Sequence, residues 1–264
     1  MNREEFIRIY FSRLALAVPA ELLPDGETLR TLHRRHTLMI PYENTDYLTG
    51  IIRPTDFETQ FQEVLVRKRG GMCIDMNPLF GELLSAIGYR VRCFSTKICQ
   101  RSENDLNYHV ILNAEDRDGI IWWCDIANPF TRFYEPLPLR FGEELSASGS
   151  LFRFEKDPSG KDLLLEKKNG IWADFLQVRD SDITEAERNE SKFSAVREYP
   201  ANAVCCKEVF SIVTPEGRRT LTGNLYRESV NDGLYKYSCP DELFPWAYAQ
   251  FGLQHLSKER KTNG

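Results

Sequence analysis

Arg69-Gly70-Gly71-Met72-Cys73-Ile74-Asp75-Met76-Asn77 runs directly into Pro78-Leu79-Phe80-Gly81-Glu82-Leu83-Leu84-Ser85-Ala86-Ile87-Gly88. The second half reads as a helix. Leu79, Phe80, Leu83, Leu84 and Ile87 recur at spacings of three and four, and Gly88 stands where a helix stops. The first half is a glycine turn feeding that helix, so Cys73 falls at or just before a helix N-terminus. Unpaired backbone N–H groups and the positive end of the helix dipole favour a thiolate there. Gly70 and Gly71 let the backbone approach a ligand closely. A lone cysteine is more often a small packing residue, so its context has to carry the case. Pro78 leaves two arrangements open. Asn77 caps a helix whose first residue is Pro78, or a first turn begins at Cys73 and tightens before the proline.

The chain has 264 residues and a net charge of −5, with both signs of charge spread throughout. That length supports one large domain or two to three small ones. No basic stripe suggests nucleic acid and no basic amphipathic helix suggests a membrane surface. Residues 1–13 mix charges with apolar side chains and do not read as a signal peptide. No apolar run reaches spanning length. Seven cysteines at irregular spacing argue against a disulfide framework and for a reducing cytoplasm. No Cys-x-x-Cys pair occurs, Cys205-Cys206 are adjacent, and no metal is expected. We expect a monomer or weak homo-oligomer.

Helical patterning dominates residues 1–90. Phe6, Ile9, Tyr10, Leu14 and Ala17 trace one face. Asp25 caps a second helix with Leu29, Leu32, His33 and His36 on its inner face, the two histidines being expected at the surface or partly buried. Residues 40–44, Ile-Pro-Tyr-Glu-Asn, form an extended loop. Thr55 or Asp56 caps a third helix with Phe57, Phe61, Val64 and Leu65 inward. From Val91 the period becomes that of strands, at 91–100, 108–113, 120–126, 150–155, 163–167 and 171–178, which suggests an antiparallel sheet or barrel. Residues 180–192 read as a short polar helix and surface link. A third unit holds strands at 204–213, 220–229 and 234–238 and a last helix near 240–252. These shifts place domains at 1–90, 91–195 and 196–264, an α+β multidomain chain.

A thiolate nucleophile needs a base, and the base needs something to orient it. Of four histidines only His109 lies on an expected strand, and Asp125 is the one acid within the apolar stretch 120–126. A buried acid there requires a partner. If Arg117-Asp118-Gly119 is a three-residue loop, Asp116 opposes Ile120 and His109 shares a sheet face with Asp125. The two are then diagonal neighbours about 7–8 Å apart at the backbone. A two-residue Asp118-Gly119 turn would put them on opposite faces. The hairpin thus permits, without forcing, a triad in the order Cys73, His109, Asp125.

These residues resemble the arylamine N-acetyltransferases. Arg69-Gly70-Gly71-x-Cys73-x-Asp75-x-Asn77 is similar to that family's nucleophile motif, Arg-Gly-Gly-x-Cys-x-Glu-x-Asn, and residues 40–44 to its Ile-Pro-Phe-Glu-Asn loop. Tyr108-His109-Val110 and Asp125 stand where the family carries its histidine and aspartate. Residues 214–221, Thr-Pro-Glu-Gly-Arg-Arg-Thr-Leu, resemble a segment of its third domain. The resemblance implies an N-terminal helical bundle, a central antiparallel β-barrel and a C-terminal α/β lid, with a cysteine-protease-like triad. It implies a helix beginning close to the nucleophile, which favours the second arrangement at Pro78. It implies ping-pong transfer of acetyl from acetyl-coenzyme A, through a Cys73 thioester, to an arylamine, arylhydroxylamine or hydrazine, in the manner of xenobiotic metabolism.

The chain departs from the family after the aspartate. Where Val-Gly-Phe-Gly is usual, it has Ile126-Ala127-Asn128-Pro129, then Phe130. Ala127 and Pro129 narrow the loop and Asn128 makes it polar, so the acceptor contacts expected are Tyr42, Asn128 and Phe130. The altered loop keeps a second reading open, an amide synthase of the same family that moves a larger acyl chain or closes a macrolactam. A third, from another class, is a papain- or transglutaminase-like thiol hydrolase.

Overall fold

The computed structural model describes residues 2–48, 51–99, 108–129, 134–198, 207–230, 233–238 and 243–253. Its first third is helical. Helix α1 (Arg3–Arg13) is capped by Asn2, whose side chain accepts from the Glu5 N–H. Helix α2 (Gly26–Met39) is capped by Asp25, which accepts from the Thr28 N–H at 2.9 Å. Asp56, not Thr55, caps α4 (Phe57–Gln60), which widens into a π-helical stretch, Phe61–Val66. Helix α5 (Cys73–Ile87) begins at the cysteine with Pro78 inside it, and ends at Gly88, whose φ is +120°. The second arrangement at Pro78 is the one adopted. Leu79, Phe80, Leu83 and Leu84 of α5 are buried in the main core.

The expected loop at residues 40–44 is more ordered than its sequence suggests. It contains β1 (Tyr42–Glu43) and leads into the short helix α3 (Thr45–Leu48). His33 and His36 are enclosed completely, each with 0 % exposure, against Phe80. The expectation of partial exposure is wrong, because the helix face they share with Leu29 and Leu32 is covered by α5. Neutral imidazole tolerates that position where a charged side chain would not.

Strands β2 (Arg90–Ile98), β3 (His109–Glu115), β4 (Ile121–Cys124), β5 (Leu137–Pro138), β6 (Leu145–Ala147), β7 (Ser150–Lys156), β8 (Asp162–Lys168) and β9 (Ile171–Ser181) form one antiparallel sheet. Its order is β5-β4-β3-β2-β9-β8-β7-β6, and it curls into a nearly closed barrel. Phe94, Ile111, Trp123, Phe152, Phe154, Leu164 and Leu176 fill it. The short strands β5 and β6 have no legible alternation and were not expected.

Helix α6 (Glu185–Glu198) follows the barrel. A five-stranded antiparallel sheet then takes the order β1-β10-β11-β12-β13, with β10 (Val209–Thr214), β11 (Gly217–Thr222), β12 (Leu225–Val230) and β13 (Gly233–Ser238). The single strand expected at 220–229 is two, folded back at Gly223, whose φ is +58°. A Thr-Gly-Asn-Leu turn inside an otherwise β-rich run explains the misreading. Helix α7 (Leu243–Phe251) packs Phe251 on Phe210 and Tyr226. The parts of these strands and of the last helix expected at 204–206 and 240–242 lie outside the described residues. No described helix is long and apolar enough to cross a membrane.

Candidate active site

Cys73 is the first residue of α5, and its neighbours explain the turn before it. A Cβ on Gly70 would lie 2.1 Å from the Pro41 carbonyl oxygen. Gly71 makes a parallel bridge to Tyr42, and the Glu43 N–H donates to the Gly71 oxygen at 3.1 Å. The glycines therefore admit the chain's own strand β1 rather than a ligand, which corrects the role expected for them. Asp75, in the first turn, accepts from the Met72 N–H at 3.1 Å and satisfies one free donor of the helix start.

Arg69 is buried and anchors this turn from below. Its guanidinium contacts Glu43 at 2.7 Å, Asp46 at 2.6 Å and Glu63 at 3.5 Å. Its backbone N–H donates to the Glu63 oxygen, so the π-helical stretch supplies both a carbonyl and a carboxylate to it. The carboxylates beside it raise its pKa against the opposing effect of burial.

The β3–β4 hairpin takes the register of the three-residue loop. The Asp116 N–H donates to the Ile120 oxygen at 3.0 Å, Gly119 has φ +78°, and Leu112 pairs with Cys124. His109 and Asp125 consequently meet, with Nε2 2.7 Å from Oδ2. Both are buried, at 3 % and 1 % exposure. The imidazole also hydrogen-bonds Cys73, and Nδ1 is the nitrogen left for that contact. Burial opposes charge on His109, but the Asp125 carboxylate and the Cys73 sulfur outweigh it and lift its pKa to about 10. Burial likewise works against ionised Asp125, and His109 overrides it and holds the carboxyl below its usual value.

Asp125 is held from several sides. The Ala127 N–H donates to Oδ1 at 3.3 Å and the Asn128 amide to Oδ2 at 3.3 Å. Its own N–H donates to His33 Nε2 at 3.2 Å. Asn77, one helical turn after Cys73, donates to the Val110 oxygen at 2.7 Å and accepts from the Ile126 N–H at 3.1 Å. Asn77 thus couples the cysteine helix to the strands bearing His109 and Asp125. These ties were not derivable from spacing, since each spans more than thirty residues.

A cleft of about 40 Å³ opens beside this group, lined by Cys73, His109, Tyr42, Tyr47, Tyr108 and Asn128, with Ser191, Lys192 and Ala195 from α6. Tyr42 and Asn128, two of the expected acceptor contacts, line this cleft, and the third, Phe130, lies outside the described residues. Helix α6 is not the surface link expected for residues 180–192. Lys192 is 4 % exposed and meets Asp75 Oδ1 at 2.6 Å. Nothing in its charged surroundings (Glu187, Arg188, Glu190) distinguishes it in sequence from a solvated lysine. Among the described residues no group of three or more His, Cys, Asp or Glu could hold a metal ion.

A helix-borne cysteine faces a histidine–carboxylate pair presented by an antiparallel barrel, an arrangement suited to acyl transfer through a thioester. A family model described as N-acetyltransferase matches residues 25–244, and the chain belongs to the arylamine N-acetyltransferases, a family of acyltransferases. It is 27 % identical over 239 residues to arylamine N-acetyltransferase 1 of Bos taurus, covering 82 % of this chain and 81 % of that one. It is 28 % identical over 176 residues to proansamycin X synthase of Amycolatopsis mediterranei, covering 60 % and 66 %. Its fold is that of Mycobacterium marinum arylamine N-acetyltransferase, solved in complex with CoA, with a TM-score of 0.83, 20 % identity, and 94 % and 92 % of the two chains covered.

Proposed function

We propose that this chain moves acetyl from acetyl-coenzyme A to an arylamine, arylhydroxylamine or hydrazine, in two half-reactions through Cys73. The observation that carries the reading is the 2.7 Å contact of His109 with Asp125 beside a cysteine at a helix start. In the first half-reaction the Cys73 sulfur attacks the thioester carbonyl. The bond from carbonyl carbon to coenzyme A sulfur breaks, and the departing thiolate takes a proton from His109. In the second, the amine nitrogen attacks the Cys73 thioester, a C–N bond forms as the C–S bond breaks, and His109 accepts the proton that nitrogen releases. Asp125 keeps the imidazole oriented and stabilises its charged form. Tyr42, Asn128 and Phe130 are the proposed acceptor contacts. Arg69, Gly70, Gly71 and Asn77 hold the cysteine and its partners in register. The setting we infer is a reducing cytoplasm, with the protein a monomer or weak homo-oligomer.

Intact mass tests this directly. Protein mixed with acetyl-coenzyme A gains one acetyl group on Cys73, and an added arylamine or hydrazine removes it. If folded protein gains no acetyl group, the acetyl reading fails. The likeness to proansamycin X synthase supports a second reading, amide synthesis with a larger acyl group. That reading predicts an adduct with longer acyl thioesters in place of acetyl-coenzyme A.

A further inference from the structure

The β3–β4 ladder ends where Leu112 faces Cys124. The next backbone N–H groups, of Asp125 and Ile126, therefore need partners other than a strand. Asn77 takes that of Ile126, and His33 takes that of Asp125. A histidine nitrogen accepts only when it carries no proton, so His33 Nε2 is bare and the neutral ring keeps its proton on Nδ1. Burial favours that form and holds the His33 pKa at about 4. The ring is also fixed in place. It is fully buried, it hydrogen-bonds the Tyr134 backbone, and the Phe80 ring of α5 meets it edge-on at 6.1 Å. The guanidinium of Arg34, the next residue of α2, lies over the Tyr134 ring at 5.6 Å. The titratable groups that face His33 are Asp125 and His36, and burial keeps His36 neutral as well.

We infer that His33 is a positioning residue for the chemistry at Cys73: its bare Nε2 fixes the Asp125 backbone, and through it the direction in which the carboxylate meets His109. Nε2 stands 3.2 Å from the Asp125 nitrogen, and Oδ2 of the same aspartate stands 2.7 Å from His109. Without that acceptor the Asp125 N–H is buried unpaired, and the peptide turns to find another oxygen. Such a turn swings the carboxylate, and a small misplacement of an orienting group is costly in rate. The inference rests on the proposed transfer reaction, so its test includes readouts that need no turnover.

Glutamine places its side-chain oxygen near the position of Nε2, asparagine reaches only as far as Nδ1, and leucine offers no acceptor. His33→Gln keeps most of kcat for acetyl transfer. His33→Asn and His33→Leu lower kcat about tenfold, with KM for acetyl-coenzyme A little changed. Iodoacetamide labelling of Cys73, followed against pH, keeps its profile in His33→Gln. In the other two variants its acid limb moves up by about half a pH unit, because a loosened Asp125 stabilises charged His109 less well. A residue that only fills the core lowers stability in all three without separating glutamine from leucine. If folded His33→Gln and His33→Leu match in both kcat and labelling profile, the inference is overturned. On the unmodified protein, nitrogen-15 NMR near neutral pH shows His33 Nε2 without a proton. A proton on that nitrogen overturns the inference whether or not a variant folds, and whether or not acetyl is transferred.

Discussion

His109 lies between two groups that want it charged, and Cys73 is the only described cysteine in contact with it. Burial pushes the Cys93 thiol up to about 11 and the Cys124 thiol well above its usual value. Limiting iodoacetamide near neutral pH should therefore alkylate Cys73 first, as peptide mapping would read. Asp125→Asn should leave the fold intact and lower acetyl transfer by about 10⁴-fold, because the imidazole loses its orientation and tautomer. Near-normal turnover would remove Asp125 from the reaction. His33 shows the opposite electrostatic situation. Burial lowers its pKa to about 4, while an unfolded histidine titrates near 6.5. The unfolded chain thus binds a proton that the native chain refuses between those values. Stability should fall as pH drops from about 6.5 to 4, by about 3 kcal/mol from this residue. His33→Gln should flatten that slope in urea titrations taken across the range.

At the scale of elements, the turn before α5 is the most constrained piece of chain. Gly70 has no freedom to become alanine, since the atom it would meet is a backbone oxygen rather than a flexible side chain. Gly70→Ala should destabilise by about 2–3 kcal/mol, with β1 displaced and Cys73 alkylation slowed. Arg69→Ala should cost about 3–5 kcal/mol because it leaves Glu43 buried without its cation, whereas Glu63 keeps Arg67 and Arg53. Arg69→Lys should recover only part of that, since one ammonium does not span three carboxylates as a planar guanidinium does. Denaturant midpoints on the pair of variants would check the order.

Across the whole molecule, the three domains proposed at 1–90, 91–195 and 196–264 are tied together around the cleft. Strand β1, from the helical part, is the edge partner of β10. Asn44 accepts from the Val209 N–H and donates to the Lys207 oxygen, both at 2.8 Å. Arg218, on β11, donates to the Pro129 oxygen at 2.7 Å and so braces the loop after Asp125. Arg218→Gln should lower transfer to arylamines about tenfold while leaving the Cys73 alkylation rate unchanged. The reason is that a small displacement of an acceptor wall is costly even when the nucleophile is untouched. Equal loss of both readouts would mean that the residue supports the fold and not the loop.

Local chemistry was enough to place much of this. The 3–4 spacing of Leu79 to Ile87 defines the body of α5 and Asp25 marks the start of α2, while Asp56 over Thr55 and the three-residue β3–β4 loop over the two-residue turn were each one of two local options. Those signals lie within a few residues of what they determine, because caps, turns and periodicity act over one or two turns of chain. The start of α5 at Cys73 rather than Asn77 was undecided on local grounds, since Pro78 and Asn77 suited the alternative equally. The close approach of Gly70 to Pro41, the burial of His33 and His36, and the arrival of Lys192 at Asp75 were decided only by packing. Each depends on a surface contributed from elsewhere in the chain, and for Lys192 that surface is 117 residues away. A lysine in a charged helix looks the same in sequence whether water or an active-site cleft covers it, and only the tertiary structure chooses between them.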